Sequence, residues 1–188
     1  KIDVVFVLDT SGSMKDGGGN STRLKNMQNA ITSDGGLSSV LFNSPDKIDA
    51  QAHVITFASD LGLDGTSVLS TKTDNVVNGL RANGGTHWEK GLKQVRNIST
   101  RPGATKYVVF LTDGNPGESG WSSDNNTIIW GDYNNSARSV YNASVTAGKQ
   151  LAESGWNILN VGVDMPETVY VNPNVDSVGG TSSRPTDH

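Results

Sequence analysis

The sequence predicts an α/β fold: a doubly wound, mostly parallel central sheet with helices on both of its faces. Short apolar runs rich in β-branched residues alternate along the chain with longer stretches of helical periodicity. Continuous apolar runs are typical of strands that are buried on both faces. Strands that alternate with helices indicate a parallel sheet, because each parallel connection needs a crossover segment. The four strongest strand candidates are Val4–Leu8, His53–Phe57, Tyr107–Leu111 and Ile158–Val163.

Apolar residues at helical spacing predict three main helices between and after these strands. The first helix should be interrupted at the pair Gly35-Gly36, and the apolar residues within 37–41 extend or follow it beyond that break. The third should stop at Gly155, since glycine favours the left-handed conformation that ends many helices. The apolar positions that define the three helices are Leu24, Met27 and Ile31; Trp88, Leu92, Val95 and Ile98; and Ala137, Val140, Tyr141, Val145 and Leu151.

The chain is long enough for one domain with a single sizeable core, spanning residues 1–188. Weaker patterns indicate a short edge strand at Thr66–Leu69 and a brief helix at Asn75–Leu80. Two stretches fit no regular element. One lies after the third strand, where residues 118–133 form a polar insertion that carries aromatic side chains, and the other is the irregular C-terminal segment 166–188.

Composition and charge argue against several classes of function. A net charge of −4 disfavours binding to nucleic acid or to an anionic membrane, because phosphate binding depends on an excess of lysine and arginine. The longest apolar runs, such as Tyr107–Leu111, are far shorter than the roughly 20 residues that cross a bilayer, so no membrane insertion is expected. With no recognisable signal peptide or anchor, the chain is expected to be a mature fragment or a cytosolic protein.

Polar side chains follow the predicted strands at the points where the apolar runs end. Asp9, Ser11 and Ser13 follow the first run in VVFVLDTSGSM. Asp113 follows the third run in VVFLTDG, and Thr86 lies in NGGTHWEKGL, in the loop that starts the second main helix. Ligands of open α/β sheets bind at the carboxyl ends of the strands. We therefore expect these five oxygen-bearing side chains to converge on one edge of the sheet.

The chemistry of these side chains favours a hard divalent cation. All five offer oxygen, without sulfur or imidazole, which selects Mg²⁺, Mn²⁺ or Ca²⁺ over zinc or copper. Two carboxylates nearly neutralise such an ion, while hydroxyls complete its coordination without adding charge. The competing interpretation is that Asp9 only caps the N-terminus of a helix, as aspartate often does. The positions of Thr86 and Asp113 in the other loops favour the metal site.

The combined pattern resembles the von Willebrand factor A domain and its metal-ion-dependent adhesion site. DTSGS matches the Asp-x-Ser-x-Ser of that family, GGT supplies its loop threonine, and LTDG supplies its late aspartate. The match runs in order from residue 1 to about residue 165. The resemblance implies that the five positions bind a divalent ion, usually Mg²⁺, directly or through water. It also implies that an acidic side chain of a partner protein completes the coordination.

Three charged or titratable residues close in sequence to the metal positions are candidates for the rim that contacts a partner. These are Asp16, His87 and Glu118. Carboxylates in loops are more often simply solvated, and a histidine in the first turn of a helix is more often exposed to solvent. For each of the three residues, the alternative is a solvent-exposed side chain without a role in partner binding.

Three aromatic residues of the insertion are further candidates for the partner-binding rim. Trp121, Trp130 and Tyr133 follow Asp113 in sequence, so the insertion is expected to lie beside the ion. Aromatic residues on a loop at a binding face often dominate the binding energy. The alternative is that they pack the insertion against its own scaffold.

Metal-dependent adhesion or protein recognition, rather than catalysis, is the function that the resemblance implies. In its absence of cysteine and its many Asn, Gly, Ser and Thr residues, the chain resembles adhesin domains of bacterial surface proteins and pilus tips. They predict a cell-surface or cell-wall-attached, extracellular location within a larger surface protein. The expected partner is a protein or a surface polymer that offers a carboxylate. An intracellular scaffold subunit of an AAA-ATPase or chelatase-type complex is the alternative.

Two classes of enzyme fit the sequence less well. An aspartic protease needs a second Asp-Thr/Ser-Gly beside DTSG, because two carboxylates share one proton, and the threonine precedes Asp113 instead of following it. A serine hydrolase needs a Gly-x-Ser-x-Gly elbow, which Gly12-Ser13-Met14 does not provide. No enzymatic activity is therefore expected.

Overall fold

The fold comes from a computed structural model that describes residues 1–17, 22–43, 48–59, 61–68, 70–114 and 130–164. For residues 63–68, 70–72 and 130–141 only the backbone is described. In chain order the elements are β1 (Ile2–Asp9), α1 (Arg23–Thr32), α2 (Leu37–Phe42), β2 (Ala50–Phe57), β3 (Leu61–Val68), α3 (Ser70–Asn78), α4 (Trp88–Val95), β4 (Thr105–Thr112), α5 (Trp130–Glu153) and β5 (Trp156–Gly162), with a single turn of 3-10 helix at Gly12–Lys15.

The strands form one sheet in the order β3-β2-β1-β4-β5. β1 pairs in parallel with β2 and β4, and β4 pairs in parallel with β5, whereas β3 runs antiparallel to β2. The chain therefore builds outward from β1 to one edge and then returns to add β4 and β5 on the other side. The predicted doubly wound, mostly parallel fold is confirmed. The carboxyl ends of β1 and β4 flank the change of direction, where open α/β sheets bind ligands.

Each face of the sheet packs against its own helices, which explains the continuous apolar run of β1. Val4, Phe6 and Leu8 pack with residues of α1 and α3. Val5 and Val7 lie on the other face and pack with residues of α4 and α5. Side chains alternate across a strand, so a strand covered on both faces needs apolar residues throughout. The helix residues in these two cores include Met27, Ile31 and Val77 on the first face and Leu92, Val95 and Leu151 on the second.

The start of α5 corrects the predicted insertion at 118–133. The helix begins at Trp130, so the last four residues of that stretch are helical. Gly131 and Asn134 favour turns over helix in the local sequence, and regular apolar spacing begins only at Ala137, which hid this part of the helix. Among the described residues, no helix combines the length and apolar character needed to span a bilayer. The segment 166–188 lies outside the described residues.

The elements on the β3 side differ in extent from the sequence prediction. β3 spans Leu61–Val68 instead of Thr66–Leu69, and α3 spans Ser70–Asn78 instead of Asn75–Leu80. Glycine and aspartate have low strand propensity, so the first half of β3 shows no apolar signal. Pairing with β2 extends the strand through that half, with register shifts near Ile55.

β5 is less buried than its apolar sequence predicts. Leu159 is 51% exposed and Val161 is 38% exposed, whereas Trp156 at the start of the strand is buried. The strand lies at the edge of the described sheet and pairs there only with β4. The prediction that all four apolar runs are buried on both faces is therefore wrong for β5.

An ion pair closes the opposite end of the sheet, where β1 begins. Asp3 in β1 is fully buried, and its carboxylate accepts from Arg101 Nε at 2.7 Å and from the Arg101 backbone N–H at 2.6 Å. Arg101 also reaches Asp49 Oδ1 at 2.5 Å and the carbonyl of Ile2 at 2.9 Å. The hydrogen bond to Asp3 raises the pKa of Arg101, and the hydrogen bond from Arg101 lowers the pKa of Asp49. One guanidinium thus connects the starts of β1 and β2 with the loop before β4.

Gly91 brings α4 so close to the sheet that a side chain would collide with the core. A Cβ atom at Gly91 would lie 2.8 Å from Val7 Cγ1 and 3.0 Å from Phe57 Cδ1. We expect Gly91→Ala to lower the free energy of unfolding by about 1–2 kcal/mol, because overpacking outweighs the gain in helix propensity. Urea denaturation measures this change.

Gly148 in α5 provides the matched control for Gly91. Nothing lies within 4 Å of a Cβ atom built there. Gly148→Ala should therefore raise the free energy of unfolding by about 0.5–1 kcal/mol, the usual gain inside a helix. If the two substitutions changed the free energy of unfolding equally, the close approach of α4 to the sheet would not restrict the size of the residue at position 91.

Candidate functional site

Two buried aspartates lie at neighbouring positions at the carboxyl ends of β1 and β4. Asp9 is the last residue of β1, and Asp113 directly follows β4. Because Leu8 pairs with Leu111, the two strands end at the same level. Asp9 is fully buried and Asp113 is 5% exposed. Burying a charge is costly unless it is paired, so two buried carboxylates at one edge indicate a specialised site.

Four of the five predicted side chains belong to one continuous set of hydrogen bonds. The Ser11 backbone N–H donates to Asp9 Oδ1 at 2.8 Å, and the hydroxyls of Ser11 and Ser13 share a hydrogen bond of 3.1 Å. Ser13 Oγ donates to Asp113 Oδ1 at 3.0 Å. Thr112 Oγ1, which was not predicted, donates to Asp9 Oδ2 at 2.6 Å and closes the set between the two strands.

Backbone hydrogen bonds bring the loop of Thr86 to the same edge. On one side of Thr86, the Gly12 N–H donates to the Gly84 carbonyl at 2.8 Å. On the other side, the His87 N–H donates to the Ala58 carbonyl at 3.0 Å. Thr86 is 8% exposed and lies outside the hydrogen-bonded set of the other four side chains. These main-chain bonds hold the loop of Thr86 at the same edge of the sheet.

Glycine is needed where the two loops meet. Gly84 has a φ of 84°, a conformation that other residues rarely adopt, and a Cβ atom there would lie 3.0 Å from Ser59 Oγ. A Cβ atom on Gly12 would lie 3.3 Å from the Gly84 carbonyl. The Asn83 N–H adds a bond of 2.7 Å to the Thr10 carbonyl. The loop after β1 and the loop before α4 are therefore joined through their backbones.

Burial raises the pKa of Asp9 above its ordinary value, because the charged carboxylate loses its solvation. Hydrogen bonds from Ser11 and Thr112 oppose this change, since they favour the charged form. The negative charge of Asp113 adds to the rise. The two carboxylates are thus largely removed from solvent, and the charge of Asp113 disfavours the charged form of Asp9.

We expect Asp9→Asn to stabilise the domain in the presence of a chelator, by about 1 kcal/mol near neutral pH. The pKa of Asp9 is higher in the folded state than in the unfolded state, so protonation of Asp9 favours folding. This contribution to the free energy of unfolding is fully present below the ordinary pKa of 3.8. That stability is lost as the pH rises through the folded pKa. Asparagine keeps the shape of the side chain without its charge, so the variant should be the more stable form only above that range.

Denaturation in a chelator at neutral pH and at about pH 4 tests the Asp9 prediction. The difference between the variant and the wild type should shrink at the lower pH. Asp34→Asn, in the exposed turn after α1, is the control for removing a charge from the surface. A difference that stays constant with pH would contradict the prediction.

Arg23 and Asp164 also belong to the site, although no sequence pattern indicates them together. Arg23 Nη1 lies 3.2 Å from Asp113 Oδ2, and Arg23 Nε lies 3.4 Å from Asp164 Oδ2. Asp164 follows β5 and has a φ of 52°, which aspartate tolerates better than most residues. The rule that selected Asp113, a carboxylate just after a strand, would have found Asp164 as well. No local signal identifies Arg23, because its partners lie 90 and 141 residues away.

Asp16 and His87 occupy different surroundings near the site. Asp16 is exposed and uses its backbone, donating to the Ser13 carbonyl at 2.9 Å and accepting from the Arg23 N–H at 2.7 Å. The His87 side chain is 17% exposed, and its Nδ1 lies 3.2 Å from Glu89 Oε1. It precedes α4 and is less exposed than the alternative interpretation of a solvated histidine implied.

The other predicted rim residues are described in part or not at all. Glu118 and Trp121 lie outside the described residues. Trp130 and Tyr133 lie on the first turn of α5, where only the backbone is described. Their roles at the rim stay predictions.

The donor set decides which ion the site is able to hold. Among the described residues, no three histidine, aspartate or glutamate side chains gather in one group, so an ion here would depend on hydroxyl oxygens. Two carboxylates and three hydroxyls suit Mg²⁺ or Mn²⁺ better than zinc or copper. Asp9, Ser11, Ser13, Thr86 and Asp113 therefore fit a hard divalent cation.

The sequence matches a family model that covers the five candidate ligands. Residues 4–115 match the von Willebrand factor type A domain, which is more than half of the chain and includes all five candidate ligands. The chain belongs to this family. The A domain has no significant match among curated proteins.

Solved structures with the same fold include several bacterial proteins. The protein BatB from Bacteroides thetaiotaomicron is 16% identical, with a TM-score of 0.60 over 86% of this chain and 66% of that one. The PilB minor pilin from Streptococcus sanguinis is 17% identical, with a TM-score of 0.62 over 86% of this chain and 50% of that one. The vWF domain of the type V pili tip protein Mfa5 from Porphyromonas gingivalis is 23% identical, with a TM-score of 0.51 over 62% of this chain and 38% of that one. At these identities the similarity concerns the fold, and this A domain spans only part of each chain.

Proposed function

We propose that this A domain is a metal-dependent adhesion or protein-binding module of a bacterial surface protein. Asp9, Ser11, Ser13, Thr86 and Asp113 hold Mg²⁺ or Mn²⁺ at the ends of β1 and β4. A carboxylate of the partner, either a protein or a surface polymer, completes the coordination of the ion.

The observation that carries the proposal is the buried pair Asp9 and Asp113, which accept hydrogen bonds from hydroxyls, from the Ser11 backbone N–H and from Arg23. Two carboxylates that are nearly free of solvent repel each other, and a divalent cation between them relieves that repulsion. Hydroxyl ligands leave the bound ion with a net attraction for a further anionic ligand, because they add no charge.

Recognition, rather than catalysis, is the proposed role of the site. The five proposed ligands include no imidazole or amine to move a proton near neutral pH. Likeness in fold to a pilus-tip protein and a minor pilin supports an adhesive role and a location on a bacterial surface. The protein would then be larger than this domain.

Calorimetric titration of Mg²⁺ and of Mn²⁺ into the chelator-treated domain tests the metal site. One saturable site is expected for each ion, and a folded domain without such a site would overturn the proposal. Circular dichroism on the same sample shows whether the chelated domain is folded.

Relaxation of water protons by the Mn²⁺-loaded domain tests the open coordination position. A water bound to the ion enhances relaxation, and a carboxylate that replaces it should reduce the enhancement. Acetate is the probe and acetamide, of similar size but neutral, is the matched control. An equal response to both would argue against recognition of a carboxylate.

A further inference from the structure

The guanidinium of Arg23 occupies a position between two carboxylates at the edge of the site. Its Nη1 donates to Asp113 Oδ2 at 3.2 Å and lies 3.5 Å from the Ser13 carbonyl. Its Nε donates to Asp164 Oδ2 at 3.4 Å. Arg23 therefore connects a proposed ligand of the ion with a carboxylate that is outside the proposed set.

The place of Arg23 in α1 shows that helix formation does not account for it. Arg23 is the first residue of the helix, directly after the cap Thr22, and its backbone N–H donates to the Asp16 carbonyl at 2.7 Å. A positive charge at the N-terminus of a helix is unfavourable, because the helix dipole is positive there. The contacts with Asp113 and Asp164 provide the compensating attraction.

The four carboxylate oxygens of the buried pair have different donors. Asp9 accepts from the Ser11 N–H and the Thr112 hydroxyl, and Asp113 Oδ1 accepts from the Ser13 hydroxyl. These three donors are neutral. Asp113 Oδ2 alone accepts from a charged group, Arg23, within the described part of the chain. The side chain of Asp113 is 1% exposed and that of Arg23 is 25% exposed, so the attraction between them is only partly screened.

We propose that Arg23 is a built-in counter-ion that competes with the divalent cation for Asp113. The inference rests on the proposed function, since it takes the cation as the competitor. Without the ion, Arg23 pairs with Asp113 and offsets part of its charge. When the ion binds, Arg23 leaves Asp113 and keeps its contact with Asp164, whose side chain is 48% exposed and lies outside the proposed coordination. Arg23 thereby lowers the affinity for the ion and excludes monovalent cations, which carry no more charge than the guanidinium they would displace.

Titration of Mg²⁺ into the chelator-treated variants Arg23→Gln, Arg23→Lys and Lys25→Gln tests the competition. Arg23→Gln should bind Mg²⁺ roughly tenfold more tightly than the wild type, which corresponds to about 1.4 kcal/mol. Arg23→Lys keeps the charge and should remain near the wild type. Lys25 is exposed on the same helix, so Lys25→Gln controls for charge at a distance and should change the affinity less than about twofold.

A second measurement in the chelator tests the ion pair without any metal. Arg23→Gln should change the free energy of unfolding by a different amount in the wild type than in Asp113→Asn, because the pair exists only in the former. Equal changes in the two backgrounds would overturn the inference.

The outcomes separate the inference from the proposed function. Tighter binding by Arg23→Gln supports both when the wild type binds Mg²⁺. If the wild type binds and Arg23→Gln matches Lys25→Gln, the competition is wrong and the metal site stands. If only Arg23→Gln binds, the competition stands and the metal-dependent function of the wild type fails. If neither binds, both proposals are overturned.

Discussion

Replacing Asp113 with alanine is expected to weaken Mg²⁺ binding by more than about 100-fold and to leave the domain folded. The substitution removes one of the two proposed carboxylate ligands of the ion. Asp113 lies beyond the last residue of β4, and its side chain accepts hydrogen bonds from the Ser13 hydroxyl and the Arg23 guanidinium. Its loss also relieves the repulsion of Asp9. Calorimetric titration measures the affinity, and circular dichroism measures the fold.

Asp34→Ala is the control for the Asp113 variant. Asp34 lies in the exposed turn after α1, at the end of that helix opposite to Arg23. It changes the net charge of the domain by the same amount and should leave the affinity within about twofold of the wild type, because solvent and salt screen distant surface charges. Binding by Asp113→Ala within a few-fold of the wild type would mean that the ion, if any, lies elsewhere.

Replacing Arg101 with alanine is expected to lower the free energy of unfolding by about 2–4 kcal/mol. The change leaves the carboxylate of Asp3 buried without its cationic partner, and it removes the side-chain bonds to the start of β1 and to the loop before β2. We set the value below that of a fully buried pair because the Arg101 side chain is 27% exposed, although that of Asp3 is fully buried. Urea denaturation in a chelator measures the change without a contribution from a bound ion.

Two further variants show whether the buried Asp3 carboxylate, left without its cationic partner, causes the loss of stability. Asp49→Asn removes the exposed partner of Arg101 and should have a much smaller effect, because Asp49 keeps 57% of its side-chain surface in solvent. The double substitution of Asp3 and Arg101 with asparagine and alanine should be less damaging than the sum of the two single changes. Additive losses would mean that the pair is not a unit.

The sequence predicted those parts of the fold that depend on short-range patterns. The apolar runs of β1, β2 and β4 can be recognised in the sequence because both faces of each strand are covered, so most of their positions are apolar. The break between α1 and α2 is recognisable from the pair Gly35-Gly36, because Gly35 adopts a φ of 77°, a conformation that favours glycine. The start of α5 and the first half of β3 are not recognisable in the sequence, because their glycine, asparagine and aspartate residues favour other conformations. Tertiary interactions, such as the pairing of β3 with β2, outweigh that preference.

The candidate site was predicted through its motifs, and the features that were missed depend on long-range contacts. Asp9 and Asp113 are recognisable because each follows an apolar strand. Their burial is not, since an edge position suggests access to solvent and only the packed loops show that both carboxylates are enclosed. The contact of Arg23 with Asp113 joins residues from two separate elements, and the clamp of Asp3 by Arg101 joins residues 98 apart. No periodicity encodes such contacts.

The ion pair of Asp3 and Arg101 has a consequence for how such a domain evolves. It satisfies the buried Asp3 without any ligand, and it does so at the end of the sheet opposite to the loops of the candidate site. The ion pair that joins the starts of β1 and β2 and the proposed binding site thus lie at opposite ends of the sheet. Substitutions in the loops after β1 and β4 that spare the proposed ligands and Gly12 therefore alter the proposed partner surface, while the ion pair of Asp3 and Arg101 continues to support the scaffold.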